Sequence, residues 1–186
     1  MLEKLRKRLQ QHTPQRLDHI ALPEAAVLMP IVERPAPTLL FTRRASHLTT
    51  HRGQVAFPGG KREPDDADLY ATALREAEEE IALAPGQVQP LGRLSDVISL
   101  HGIRVTPWVG LIPPDLPLVA DPGELDAIFE VPLSHFFRRP AHPYRCDHRR
   151  WRRALCAQLS RRWSRDLGII CHDVGGAVGR GFWNGD

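Results

Sequence analysis

The clearest periodic pattern in the chain is helical and spans residues 66–83. Within it Tyr70, Leu74, Ala77 and Ile81 recur at spacings of four, three and four residues. This spacing gathers the four side chains into one apolar stripe along a helix. No proline or glycine interrupts the segment. The pattern therefore predicts a long amphipathic helix near the middle of the chain.

Shorter apolar runs on both sides of this helix predict β-strands. The predicted strands are Ala25–Val32, Thr38–Thr42, Gln54–Phe57, Val88–Leu100, Ile103–Ile112 and Ala127–Val131. The first two are expected to form a hairpin, and Pro30 indicates that the first is an edge strand or carries a bulge. A turn is expected near His101-Gly102, and a loop over Pro113–Gly123. Strands on both sides of a central helix predict an α/β fold, with helices packed on a mixed sheet.

The composition is that of one globular domain. Of 186 residues, 42% are hydrophobic and 25% are charged, which is typical of folded proteins and not of disordered or fibrous ones. We therefore expect residues 1–186 to form a single domain. Residues 1–20 are expected to contain a basic helix, and residues 138–186 form an arginine-rich C-terminal segment.

The cellular setting is also predicted from the sequence. No run approaches the roughly 20 apolar residues that a transmembrane helix needs. The charged start, Met1–Arg8, lacks the apolar core of a secretory signal. These features predict a cytoplasmic protein without a membrane partner. The oligomeric state is not fixed by the sequence, and a homodimer is one arrangement that it allows.

Three glutamates near the end of the predicted helix are the candidate catalytic groups. Glu76, Glu79 and Glu80 stand at positions i, i+3 and i+4, so a helix places their carboxylates on one face. Like charges there destabilise a helix unless a cation lies among them, and Mg²⁺ takes oxygen ligands. A solvated acidic helix face would show the same residues. The glutamates alone therefore do not decide between the two interpretations.

The segment before the helix favours the metal site. Gly59-Gly60 follow a predicted strand, and they predict a turn at which backbone amides approach a phosphate closely. A strand, a glycine turn and an acid-lined helix together place a metal beside a phosphate. That arrangement suits the hydrolysis of a phosphoanhydride by metal-activated water.

Residues 60–83 resemble the Nudix box, the motif of a hydrolase family. Its second half is Arg75-Glu76-Ala77-Glu78-Glu79-Glu80 in this chain. The chain departs from the motif at the earlier acid, which is Asp66 and not glutamate, and one extra residue separates it from Arg75. Ala82 stands in place of a glycine. The resemblance implies a Nudix-type α/β/α sandwich with a mixed sheet, a central catalytic helix, and dependence on Mg²⁺ or Mn²⁺.

A second resemblance points to one branch of that family, the CoA pyrophosphatases. It is carried by Leu39–Arg44, His47–Gly60, Gly102–Gly110 and Phe129–Leu133. Thr49 departs from it, since many members have arginine there. The resemblance implies that coenzyme A or an acyl-CoA is cleaved to 4′-phosphopantetheine, or its acyl derivative, and adenosine 3′,5′-bisphosphate.

The resemblance also assigns candidate roles. It implies that Glu76, Glu79 and Glu80 bind the metal and take part in catalysis, while Arg75 reaches Glu79 one turn on and orients it. Glu124, on the loop before the last strand, is a candidate additional carboxylate, although a surface acid there would look the same. The candidate substrate contacts are Arg44, His51, Gln54, Gly59 and Gly60. For each substrate contact a purely structural role is the alternative.

The basic C-terminal segment leaves other functions open. Ten arginines lie between Arg138 and Arg165 against one acid, Asp147. Such a segment is typical of a solvated basic surface, but it also suits a polyanionic small molecule or a nucleic acid. The alternatives are therefore hydrolysis of ADP-ribose, NADH or a capped RNA end, and a non-catalytic domain that binds a nucleotide or RNA. Intact metal-ligand positions favour the enzyme, and nucleic acid is not the expected partner.

Overall fold

A computed structural model describes residues 1–48, 53–99 and 101–137. These residues contain one mixed sheet, three α-helices and a 3-10 turn, Pro85–Gln87. The strands are β1 Glu24–Val32, β2 Thr38–Arg44, β3 Val55–Ala56, β4 Gly59–Lys61, β5 Gln89–Arg93, β6 Val97–Ile98, β7 Arg104–Ile112 and β8 Leu125–Pro132. The helices are α1 Leu2–Gln11, α2 Leu69–Ile81 and α3 Ser134–Phe137.

The sheet is built around β1. This strand is parallel to β7 along its whole length and antiparallel to its other two partners. Its second edge is shared, because β4 pairs with Ala25 to Val27 and β2 pairs with Ile31 and Val32. The predicted hairpin of β1 and β2 is confirmed. β8 then extends the sheet beyond β2, and β5 and β6 extend it beyond β7.

The prediction that Pro30 marks an edge strand or a bulge is wrong. β1 is a central strand, and Pro30 pairs in regular register with Gly110 of β7. On the opposite edge Pro30 lies between the residues that pair with β4 and those that pair with β2. A proline is tolerated there because no neighbouring strand requires its missing N–H.

Helices cover both faces of the sheet, and the predicted α/β/α sandwich is confirmed. Met29 and Ile31 of β1 face one core, which contains Leu5 and Leu9 of α1. Ala26 and Leu28 face the other core, to which α2 contributes Ala77 and Ile81 of the predicted stripe together with Ala73, while Leu74 is only partly buried against it. Because successive side chains of β1 point to opposite faces of the sheet, this strand contributes to both cores.

The central helix is shorter than the pattern predicted. α2 begins after Asp68, whose carboxylate accepts hydrogen bonds from the amides of Tyr70 (2.9 Å) and Ala71 (2.8 Å). This N-cap satisfies two amides that the first turn of a helix leaves without partners. The helix ends at Ala82, which adopts the left-handed conformation with φ of 54°.

Two further predictions need correction. The single strand expected over Val88–Leu100 is two short strands, β5 and β6. The basic helix expected within residues 1–20 covers only the first half of that range, and the following segment is held by Asp96, which accepts a hydrogen bond from the Leu17 amide at 2.9 Å. The arginine-rich segment 138–186 lies outside the described residues, so the single domain over 1–186 stays a prediction. None of the described helices is both long and apolar enough to span a bilayer.

Candidate active site

The candidate site is built on the last two turns of α2. Glu76 and Glu80 lie one turn apart and point toward β4. Glu80 is 7% exposed, and its Oε2 atom has no hydrogen-bond partner in the described part of the chain. Glu76 is also largely buried. A buried carboxylate oxygen without a donor is costly, so this pair of acids needs an external cation or a proton.

Gly59 and Gly60 lie against these two acids. The prediction of a turn at these glycines is wrong, because they form β4 and pair with Val27 and Ala26 of β1. The Gly59 amide donates a hydrogen bond to the Glu80 carboxylate. A Cβ on Gly59 would lie 2.3 Å from the Ala26 carbonyl oxygen. Glycine is therefore required at position 59 for strand packing, while Gly60 lies against the carboxylate of Glu76.

The loop before β8 brings a third carboxylate to the site. The Asp121 amide donates to the carbonyl oxygen of Glu80 (2.9 Å), at the end of α2 where carbonyls lack helical partners. Asp121 in turn accepts from the Glu124 amide (3.1 Å). Because this loop is bonded to the end of α2, Glu124 lies close enough for its charge to act on Glu76 and Glu80.

Burial and neighbouring carboxylates raise the pKa values of Glu76 and Glu80. Burial raises the pKa of Glu80 to about 8, and the charges of Glu76 and Glu124 add to the effect. The Gly59 hydrogen bond and the charge of Arg44 oppose it in part. Burial also raises the pKa of Glu76, partly offset by Arg75. Perturbed carboxylates of this kind are typical of functional sites.

Arg75 links the helix to the segment that precedes it. Its guanidinium donates to both carboxylate oxygens of Asp66 (3.0 and 3.2 Å) and to the Lys61 carbonyl (3.0 Å). It also contacts Glu76 at 3.2 Å and donates to Glu79 at 2.9 Å. The expected contact between Arg75 and Glu79 is present. In this arrangement the Glu79 side chain is 59% exposed and turned toward Arg75.

Asp66 is the residue whose role the sequence left open. It is buried, and besides Arg75 it accepts hydrogen bonds from the Thr72 hydroxyl and the Glu63 amide, each at 2.9 Å. The hydrogen bonds from Arg75 lower the pKa of Asp66 to about 2. The sequence signal was weak, because an acid before a helix with an arginine nine residues on is common. Its burial follows only from the packing of β4 against α2.

Arg44 and Gln54 stand at the rim of the site. Arg44 ends β2, and its guanidinium lies 3.6 Å from the Glu124 carboxylate. The Arg44 amide donates to the Gln54 carbonyl (2.9 Å), and the Gly53 amide donates to the Arg44 carbonyl (3.1 Å). The Gln54 side chain is exposed. His51, the remaining predicted substrate contact, lies outside the described residues.

The residues present fit a divalent cation, although they do not form a closed ligand set. No three His, Cys, Asp or Glu side chains converge on a metal position within residues 1–48, 53–99 and 101–137. The unpartnered Oε2 atom of Glu80 and the mutual repulsion of the acids nevertheless call for positive charge. Glu79, on the same helix, is exposed and is paired with Arg75. Hard carboxylate oxygens are the ligands that Mg²⁺ and Mn²⁺ prefer.

Comparison with protein families supports this interpretation. Residues 22–154 match the NUDIX domain family. A curated protein from Yersinia pestis, named uncharacterized Nudix hydrolase NudL, is 56% identical over 109 residues. This match covers 59% of the chain and 55% of the relative, and a relative of the same name from Yersinia pseudotuberculosis gives the same values. The chain thus matches about half the length of these curated relatives.

Solved structures of the same fold agree. An Ap4A hydrolase binary complex from C. elegans superposes with a TM-score of 0.51 at 17% identity, covering 61% of this chain and 82% of that one. A Nudix hydrolase from M. smegmatis, RenU, gives 0.51 at 21% identity, with coverage of 65% and 77%. At such identities the likeness concerns the fold alone.

Proposed function

The chain belongs to the NUDIX domain family, and from this membership we propose that it is a metal-dependent pyrophosphohydrolase that acts on coenzyme A or an acyl-CoA. The single observation that carries the hydrolase assignment is the buried Glu80 carboxylate, which lies beside Glu76 and Glu124 and whose Oε2 atom has no hydrogen-bond partner in the described residues. Such a group suits the hydrolysis of a nucleoside diphosphate derivative, whose pyrophosphate is brought to carboxylates by divalent cations.

The residues of the site have different proposed roles in this hydrolysis. Glu76, Glu79 and Glu80 would hold Mg²⁺ or Mn²⁺, which supplies an activated water and neutralises charge on the pyrophosphate. Arg75 orients Glu79 through their ion pair. Glu124 comes from outside the helix and has a half-exposed side chain. It can therefore accept a proton from the attacking water as a general base.

The rim of the site supports a CoA substrate. The segment that resembles the CoA-pyrophosphatase motif runs from β2 to β4, and its described residues border the carboxylates on two sides. Arg44 lies 3.6 Å from Glu124, and its side chain is 30% exposed. CoA carries a pyrophosphate and a 3′-phosphate, and arginine is well suited to bind either group.

The test of substrate recognition compares two adjacent arginines. Arg44→Ala should raise the KM for CoA about tenfold, the loss expected for one charge-assisted contact, with a smaller effect on kcat. Arg43→Ala is the matched control, because successive residues of β2 point to opposite faces and Arg43 is exposed. An unchanged KM in Arg44→Ala, or an equal effect of both substitutions, would contradict the assignment of Arg44 as a substrate contact.

A further inference from the structure

The connector between β4 and α2, residues 62–68, is held in shape by hydrogen bonds that join Arg62 and Glu63 to Asp66. The Asp66 amide donates to the Glu63 carbonyl (3.1 Å), while the Glu63 amide donates to Asp66 Oδ2 (2.9 Å). The side chain of Arg62 spans the same turn, since its Nη2 donates to the Asp66 carbonyl at 3.3 Å. The connector therefore has a fixed shape, and Asp66 lies at its centre.

Arg62 also ties the connector to the sheet. Its Nη1 lies 2.9 Å from Oε2 of Glu24, the first residue of β1, and its amide donates to the Glu24 carbonyl at 3.0 Å. Glu24 is itself fixed, because its other oxygen accepts from the guanidinium of Arg104. Arg104 is buried and also contacts Asp18 and Asp96. The anchor point of Arg62 is thus part of a charged network around the buried Arg104.

The other end of the connector reaches the acids of the site. Asp66 binds the guanidinium of Arg75 with both oxygens, and Arg75 contacts Glu76 and Glu79. An unbroken series of polar contacts therefore runs from Glu24 through Arg62, Asp66 and Arg75 to two of the three helical glutamates. A shift of the connector would displace Arg75 and, with it, both carboxylates.

We propose that Arg62 is a positioning residue of the metal site, which sets the place of Asp66 and Arg75 without touching metal or substrate. This assignment rests on the proposed function, since it presumes that the glutamates bind a divalent cation. Arginine suits the role because its fork reaches Glu24 and the Asp66 carbonyl at once. A lysine has one ammonium group and can keep the Glu24 pair, but not both contacts in the same geometry.

The direct readout is metal affinity in the absence of substrate. Mn²⁺ is titrated into the full chain, and free Mn²⁺ is followed by electron paramagnetic resonance. Arg62→Ala should weaken Mn²⁺ binding about tenfold, at the lower end of the loss seen when groups behind metal ligands are removed. Arg62→Lys should show a partial rescue, with a loss of about threefold. In turnover, kcat should fall while the KM for CoA stays unchanged.

The matched control is Arg34→Ala. Arg34, like Arg62, is an arginine that joins two segments, here through the carboxylates of Glu130 and Asp115, but it follows the opposite end of β1 from Glu24. Removing the Arg34 side chain breaks surface ion pairs similar to that of Arg62 and should leave Mn²⁺ affinity unchanged. A double-mutant cycle adds a second check: in an Asp66→Asn background, Arg62→Ala should have little further effect, because its influence passes through Asp66.

The outcomes distinguish a failure of the positioning role of Arg62 from a failure of the proposed function. Equal Mn²⁺ affinity in Arg62→Ala and Arg34→Ala, with turnover reduced only as far as stability is, would overturn the positioning role and leave the proposed function intact. Full additivity of Arg62→Ala and Asp66→Asn would overturn it as well. If the unaltered protein failed to bind Mn²⁺ at all, the proposed function itself would fall, and the positioning role with it.

Discussion

The carboxylate of Glu76 occupies the space in which any residue larger than glycine at position 60 would place its Cβ. An added Cβ would lie 2.3 Å from Oε1 of Glu76 and 2.5 Å from its carboxyl carbon. Gly60 lies in β4 and pairs with Ala26 of β1, so it cannot move away without leaving the sheet. Glycine at position 60 therefore leaves room for the Glu76 carboxylate in its observed position.

Gly60→Ala should displace Glu76 and reduce turnover about a hundredfold, the loss expected when a catalytic group is misplaced by about 1 Å. Steady-state kinetics in Mg²⁺ measure the effect, and circular dichroism checks that the fold persists. Gly86→Ala is the control, because an added Cβ there meets no described atom within 4 Å. Near-normal turnover in Gly60→Ala would show that the observed position of Glu76 is not required for catalysis.

Glu80→Gln should abolish hydrolysis, with a loss of at least about a hundredfold, yet leave the metal-free protein equally or more stable. The reason is that Glu80 is a buried acid without a counter-charge, so its charge opposes folding. Thermal unfolding with and without Mn²⁺ measures both effects. Mn²⁺ should raise the melting temperature of the unaltered protein and of the exposed control Glu78→Gln, but not that of Glu80→Gln. Retained turnover in Glu80→Gln would remove Glu80 from the site.

Asp66→Asn should lower the free energy of unfolding by about 2 kcal/mol at pH 7, since the pKa of Asp66 is lowered from 3.8 to about 2 in the folded state. A lowered carboxyl pKa stabilises the fold above the unfolded value, and this stability is lost as the pH falls through the folded value. The difference between the two proteins should therefore be constant above about pH 5 and shrink between about pH 4 and pH 2.

Urea denaturation of both proteins at several pH values, over the range in which both fold, measures this difference. A difference that stayed the same down to the lowest accessible pH would mean that Asp66 stabilises the fold by packing and not by its charge.

Ala82→Gly should raise the free energy of unfolding by about 0.5 to 1 kcal/mol. Ala82 ends α2 with φ of 54°, a conformation that costs an L-residue energy and glycine very little. Ala71→Gly, inside α2, is the contrasting control and should cost up to about 1 kcal/mol. Urea denaturation with unchanged m-values checks the prediction. Destabilisation by both substitutions would show that the left-handed turn carries no strain that glycine can relieve.

Local patterns predicted the parts of the fold that depend on local physics. The period of Tyr70, Leu74, Ala77 and Ile81 indicated α2, although the Asp68 cap that starts the helix three residues late was not recognised. The hairpin of β1 and β2 was likewise visible in two apolar runs with a turn between them. Pro30 was misjudged because its position depends on where β4 stops pairing and β2 begins, and such pairing is not encoded in neighbouring residues.

In the site, too, the sequence predicted only those features that depend on residues close together in the chain. The i, i+3, i+4 spacing predicted that the glutamates share one face of the helix, but not that Glu80 is buried while Glu79 turns to Arg75. Gly59-Gly60 predicted a turn because glycines allow close approach of the backbone, and in the structure they lie in β4, close to β1 and Glu76. The burial of Asp66 depends on contacts between segments that only the fold brings together.

The most direct test of the proposed function is product identification with competing substrates. The purified full chain would be incubated with CoA, acetyl-CoA, ADP-ribose, NADH and a capped RNA, with and without Mg²⁺ or Mn²⁺, and the products separated by chromatography. We predict metal-dependent release of adenosine 3′,5′-bisphosphate from CoA or acetyl-CoA, faster than cleavage of the other compounds. Faster cleavage of ADP-ribose, NADH or capped RNA would contradict the CoA assignment, and no cleavage of any compound would contradict the hydrolase itself.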